Sequence, residues 1–176
     1  ENLRAAGVAE IVVVLGHRAA ELRVLLSPLP CVRFAVNEEA ESEMGVSIAR
    51  GVEQLPEETE AFLLALVDQP AIPPAAIRET LDEWRRTKAR LVVPEWKGRG
   101  GHPVLISLEF RDELLRLDAR RGLRGLFDAH REEVRRVPVR SPYIARDMDT
   151  WDDYCALHGE VFGTAPPDAA RPPSPS

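Results

Sequence analysis

The sequence predicts an α/β domain built as a three-layer, mostly parallel sheet with helices on both faces. Three observations carry that expectation. Short runs of Val, Ile and Leu recur along the chain, stretches with helical spacing separate them, and Gly, Asn, Asp or Pro closes each run.

Residues 1–6 read as the last turns of a helix ended by Gly7, and residues 11–15 (Ile-Val-Val-Val-Leu, closed by Gly16) as a strand buried on both faces. A helix-Gly-strand opening normally follows a strand of its own. The sheet is therefore expected to begin upstream of residue 1, and the 11–15 strand to carry an unpaired edge that promotes self-association. Residues 18–26 form a predicted helix stopped at Pro28 and Pro30, and residues 32–36 a short strand ending at Asn37. Apolar residues at 44, 48, 52 and 55 give a helix that Pro56 ends.

The run 61–67 is the most apolar in the chain and is expected to be a central strand, stopped at Asp68. Pro73 and Pro74 open a helix reaching about Lys88, with Ile77, Leu81 and Trp84 on one face. Residues 91–93 and 104–106 are short strands around a hairpin-like excursion holding Gly98, Gly100 and Gly101. Helices over roughly 108–117 and 123–131 precede a strand over 134–139, a turn at Ser141-Pro142 and a last helix over 150–158. This organisation predicts one domain over residues 1–160 and a disordered Pro-rich tail over 161–176.

Composition narrows the function. The 176 residues are enough for one core, and 23 basic against 29 acidic residues give a net charge of −6, opposite to the footprint of a nucleic-acid binder. Cys31 and Cys155 have no metal-ligand spacing and form no disulfide framework, which suits a reducing cytoplasm. No apolar run is long enough to span a bilayer, so neither membrane nor nucleic acid is an expected partner.

Sheets of this kind bind ligands beyond the carboxyl ends of their strands, which singles out Asp68. Two readings stay open for it, a cap of the following turn or a functional carboxylate. Asp147 and Asp149 alternate around Met148, placing both carboxylates on one side of an extended segment. Two carboxylates about 4 Å apart repel by about 4 kcal/mol at an effective dielectric of 20, so such a group is expected only around a cation. Oxygen ligands without His or Cys favour Mg²⁺. Thr150 is expected to cap the last helix, with Asp152 and Asp153 complementing its dipole. The segment from Gly98 through His102 is either an ordinary loop or a receiver of an anionic partner, and Arg120, Arg121 and Arg124 either meet phosphate or form a solvated helix surface. His17, His130 and His158 have no evident role.

Together these segments resemble the MobA-like NTP transferase family. The stretch from Val13 through His17 is similar to the family's second strand and turn. Asn37 followed by Met44-Gly45-Val46-Ser47-Ile48 is similar to its segment beside the nucleotide, and Val67-Asp68-Gln69-Pro70 to its metal-binding strand end. Asp147-Met148-Asp149-Thr150 with Asp153-Tyr154 is similar to its closing Asp-rich segment, and Gly101-His102-Pro103-Val104 resembles the branch that uses CTP or serves molybdenum hydroxylases. The resemblance covers residues 1 to about 158.

It implies a Mg²⁺-dependent nucleotidyltransferase that moves a nucleoside monophosphate, CMP from CTP rather than GMP from GTP, to an acceptor such as molybdopterin and releases pyrophosphate. Asp68 and Asp149 would be catalytic and, with Asp147, metal-binding. Asn37 and Ser47 would contact the nucleoside and Gly101 and His102 the acceptor, and a molybdoenzyme or its chaperone would be a partner. Family members open with a strand, a Leu-Ala-Ala-Gly phosphate loop and an Arg-Met-Gly segment, which residues 1–176 do not supply, so the resemblance implies weak NTP binding or an inactive truncated transferase. The alternative from a different class is a receiver-like or otherwise non-catalytic binding domain, in which Asp68 accepts a phosphoryl group.

Overall fold

The computed structural model describes residues 1–39, 43–118 and 120–167. Helix α1 (Asn2–Ala5) turns at Gly7, whose φ of 92° suits a residue without Cβ, and leads into β1 (Ile11–Leu15). Helix α2 (Ala19–Leu26) returns the chain to β2 (Val32–Val36), which pairs in parallel with β1 from Ile11 opposite Val32 to Leu15 opposite Val36. Helix α3 (Met44–Glu53) follows, then β3 (Ala61–Leu64) and α4 (Pro74–Thr87), in which Pro74 occupies the first turn where no amide hydrogen bond is lost.

Strand β4 (Leu91–Trp96) turns through Lys97 and Gly98, both at positive φ as a two-residue hairpin requires, into β5 (Arg99–Gly100) and then β6 (Val104–Ser107). A 3₁₀ turn and the short helix α5 (Arg111–Leu114) precede α6 (Gly122–Ala129), β7 (Val134–Pro138), a 3₁₀ turn over Pro142–Ala145 and α7 (Trp151–Phe162).

Among the described residues the strands form two sheets. One is β1-β2; the other has the order β3-β6-β4-β5, with β7 also paired to β4. The α/β class holds, but the larger sheet is mixed: β6 runs antiparallel to β3 and β4, while β7 runs parallel to β4. Alternation along the strands fills a core on each face. Val92, Leu105 and Val137 pack with Ile72, Ala76 and Ile77 beside α4, while Leu91, Val93, Val104 and Ile106 pack with Ile48 and Val52 of α3 and Leu126 of α6. Leu91, Val92, Leu105 and Ile106 are at most 1% exposed, which at about 1.5–3 kcal/mol per buried aliphatic side chain makes this strand pair the centre of hydrophobic stabilisation.

Helix α3 spans the break between the sheets. Its Ile48 and Val52 belong to the core cluster against which Phe62 and Leu64 of β3 pack, and a Cβ at its Gly51 would sit 3.1 Å from Val14 of β1. Strand β1 has only β2 as a described strand partner, so its second edge is open among the described residues.

Two sequence expectations are corrected. Among the described residues the run 61–67 is not a central strand: β3 ends at Leu64, is half-buried and has β6 as its one strand partner there, and Val67 is 95% exposed. Apolarity reports a need for cover but not the number of hydrogen-bonded neighbours. The last helix runs on to Phe162 and stops at Gly163 in the left-handed conformation, while most of the expected tail, residues 168–176, lies outside the described residues. Its amino end has the expected cap: the Thr150 hydroxyl accepts the Asp153 amide, and the Asp153 carboxylate accepts the Thr150 amide. No helix among the described residues is long and apolar enough to cross a membrane.

His130, without a role in the sequence, ties α5 to the segment before β7. Its Nε2 lies 2.9 Å from Glu113 Oε2 and its Nδ1 3.2 Å from Glu133 Oε1, and its ring packs on Phe110 at 4.5 Å. The hydrogen bond to Glu113 is the main cause of an imidazole pKa above its ordinary value, partly opposed by desolvation. A folded-state pKa raised above the unfolded one stabilises the fold at pH below the unfolded value, and that contribution disappears as pH rises through the folded value. Solvent screens this pair, so the effect on stability is small and the resonance is the better probe. The His130 ring protons are expected to titrate at higher pH than those of an unperturbed histidine side chain in an NMR pH series, and Glu113→Gln to bring the midpoint down; a midpoint unmoved by the substitution would remove Glu113 as the cause.

Candidate active site

Strand directions bring the chemically interesting segments to one edge. Leu64 at the carboxyl end of β3 faces Val104 at the amino end of β6, and β6 runs against β4, with Val92 opposite Leu105. The carboxyl ends of β4 and β7 lie together, Glu95 opposite Pro138. Residues 65–70 after β3, 101–103 before β6 and 139–149 after β7 therefore emerge on the same side. A cleft of ≈ 760 Å³ opens there, lined in part by Leu66, Gln69, Pro103, Met148 and Tyr154, a size suited to a small-molecule ligand.

The loop after β3 is held on several sides. The Asn2 side chain donates to the carbonyls of Pro70 at 3.2 Å and Ile72 at 2.9 Å, tying α1 to the loop. Gln69, only 7% exposed, donates from Nε2 to Asp147 Oδ1 at 2.7 Å. His102 Nδ1 lies 3.3 Å from the Leu64 carbonyl. Burial is the largest influence on His102 and pushes its pKa down, while the Leu64 carbonyl, Asp68 and Asp147 pull it up. Both carboxylates thus act on the same imidazole. The Oδ1 of Asp68 and the Oε1 of Gln69 are buried without a hydrogen-bond partner.

The predicted site residues divide into groups. Asp68, His102 and Asp147 come together at this edge. Asp149 is exposed, and its backbone amide serves the Asp153 carboxylate. Asn37, buried at the end of β2, donates to the Ser47 hydroxyl at 3.0 Å and accepts the Glu39 amide at 3.1 Å, so these two form a unit between β2 and α3. Gly101 donates its amide to the Pro94 carbonyl and His102 its amide to the Ile144 carbonyl. A Cβ at Gly101 would collide with that same Ile144 carbonyl, so glycine is required here by close approach. Arg121 pairs with Asp128 on the surface at 3.2 Å, in line with the solvated-helix reading of its cluster.

Gln69 is the participant to which sequence reasoning gave no role, although it stands in the Val67-Asp68-Gln69-Pro70 stretch that carries the family resemblance; nothing local distinguishes a buried Gln from an exposed one.

Among the described residues no three His, Cys, Asp or Glu side chains stand close enough to hold a metal ion by themselves. The unpaired Asp68 Oδ1 nevertheless suits a cation whose remaining ligands come from phosphate oxygens and water, the usual situation of Mg²⁺ at phosphoryl sites.

A mixed α/β sheet with carboxylates on the loops beyond its strand ends, beside an open cleft, is an arrangement compatible with nucleotidyl transfer, and the family match makes the chain a nucleotidyltransferase. The chain belongs to the MobA-like NTP transferase family, whose domain matches residues 1–134, so a nucleoside triphosphate is its substrate class. Among solved structures it is similar to Rv0371c from Mycobacterium tuberculosis H37Rv, with 28% identity and a TM-score of 0.77 over 89% of this chain and 79% of that one. It is similar as well to the manganese complex of that protein, with 28% identity and a TM-score of 0.76 over 91% and 83% of the two chains. A nucleotidyl transferase from Methanothermobacter shares the fold, with 23% identity and a TM-score of 0.74 over 90% and 76%. No curated protein sequence matches the chain.

The close approach at Gly101 gives a direct test of how this edge is held. Gly101→Ala is expected to lower the unfolding free energy by about 1–3 kcal/mol, the usual cost of overpacking, as measured by urea denaturation. An unchanged midpoint would show that the Ile144 carbonyl does not restrict this position.

Proposed function

We propose that the domain transfers CMP from CTP to a phosphorylated acceptor such as molybdopterin and releases pyrophosphate. An oxygen of the acceptor phosphate attacks the α-phosphorus of CTP, forming a new P–O bond as the bond to the β-phosphate oxygen breaks. The acceptor already attacks as an anion, so no side-chain nucleophile is needed. The observation that carries this reading is the convergence of Asp68, with its unpaired buried oxygen, and Asp147 at one strand-end edge beside an open cleft.

Asp68, Asp147 and Asp149 are the carboxylates offered to a divalent cation, taken to be Mg²⁺. Such a cation would supply positive charge against the charge developing on the leaving group. The manganese complex of the M. tuberculosis neighbour supports a divalent metal on this fold. Asn37 and Ser47, already joined to each other, face the nucleoside in this reading. The side chain of His102 meets the acceptor, because its amide and that of Gly101 are occupied by carbonyls. The preference for CTP over GTP rests on the segment from Gly101 through Val104. A molybdoenzyme or its chaperone would receive the product. The family match favours transfer over the receiver-like alternative.

Pyrophosphate release with CTP, molybdopterin and Mg²⁺ tests this reading. Asp68→Ala is expected to lower the rate about 100-fold or more, the scale seen when a group stabilising transition-state charge is removed. Equal rates for the two proteins would refute the role of Asp68, and faster turnover with GTP would reassign the nucleobase.

A further inference from the structure

We propose that Gln69 is a positioning residue that carries the Asp147 carboxylate into the coordination sphere of a divalent cation bound at Asp68. This rests on the metal-dependent reading above and deepens it.

Asp147 is itself exposed, although the segment after β7 is anchored by buried Val139 and Ile144, and its carboxylate would otherwise turn freely into solvent. Gln69 restrains it across 78 residues of sequence through a 2.7 Å hydrogen bond. Donor and acceptor are fixed by chemistry: an ionised carboxylate only accepts, so the amide nitrogen of Gln69 faces Asp147 and its oxygen faces away. That oxygen is buried and unpaired, as is Asp68 Oδ1 on the preceding residue. A Gln 7% exposed, with one end fastened to an acidic side chain and the other left as a bare acceptor, is costly in a loop that serves only to connect β3 to α4. The cost has a purpose if the hydrogen bond holds Asp147 Oδ1 and leaves its second oxygen for a cation that Asp68 also contacts. Partners that fix a ligating carboxylate in this way typically control metal affinity by 10–100-fold.

Free Mn²⁺ measured by electron paramagnetic resonance, with the metal titrated into the full chain together with a non-hydrolysable CTP analogue and compared with the analogue alone, gives a readout independent of turnover. Gln69→Leu removes the donor at similar volume and is expected to weaken Mn²⁺ binding about 10–100-fold. Gln69→Met serves if the Leu variant does not fold, as judged by circular dichroism. In an Asp147→Ala background the Gln69 substitution should have no further effect, because its action passes through Asp147. Wild-type affinity in both Gln69 variants would overturn the proposal. An equal loss in the Asp147→Ala background would overturn it as well, making Gln69 act independently of Asp147. If the wild type binds no Mn²⁺, or Asp68→Asn binds it equally well, the metal-dependent reading itself fails and the positioning role falls with it.

Discussion

Burial of β4 and β6 on both faces is the constraint from which the rest of the domain follows. Their side chains alternate into two cores, so a shift of register by one residue would exchange every core contact of Leu91, Val92, Leu105 and Ile106. With that register fixed, the antiparallel pairing of β6 to β3 and the parallel pairing of β7 to β4 leave no freedom in where the neighbouring loops emerge. Asp68, His102 and Asp147 are distant in sequence and meet because three strand ends are held in line by a hydrophobic core.

The edge so formed is rich in acceptors. Two buried oxygens without partners, a carboxylate held by an amide and an imidazole whose burial disfavours its charged form leave the site in want of positive charge. A triphosphate is itself a polyanion, and the chain carries a net charge of −6. Nucleotide and acidic edge repel one another unless a cation stands between them. Substrate and metal are therefore expected to bind together, which agrees with the absence, among the described residues, of a three-ligand cluster able to hold a metal alone.

Much of this was legible in the sequence because local patterns report local physics. The strand from Ile11 to Leu15, the proline-opened helix α4 and the Thr150 cap follow from β-branched runs, fixed φ and hydroxyl chemistry, which need no knowledge of distant residues. The edge position of β3 did not follow, since a run of apolar residues looks the same with one strand neighbour or two. The antiparallel sense of β6 depends on the Lys97-Gly98 turn and on pairing with β3, and only the first has a local signature. At the site, Asp68 was marked by its strand end and Asp147 by its alternation with Asp149. Their connection through Gln69 spans 78 residues and leaves no periodic trace. Gly101 was read as part of a ligand loop, whereas the structure shows a conformational demand set by the Ile144 carbonyl.

The central claim is that strand-end carboxylates assembled by the β4-β6 core hold the metal used in nucleotidyl transfer. An anomalous-difference map from crystals of the protein grown with Mn²⁺ and a CTP analogue tests it most directly. The account predicts one strong peak within coordination distance of Asp68 Oδ1 and an Asp147 oxygen, with Gln69 still bonded to Asp147. A map with no peak at this edge, or with the metal bound only elsewhere on the domain, would contradict it.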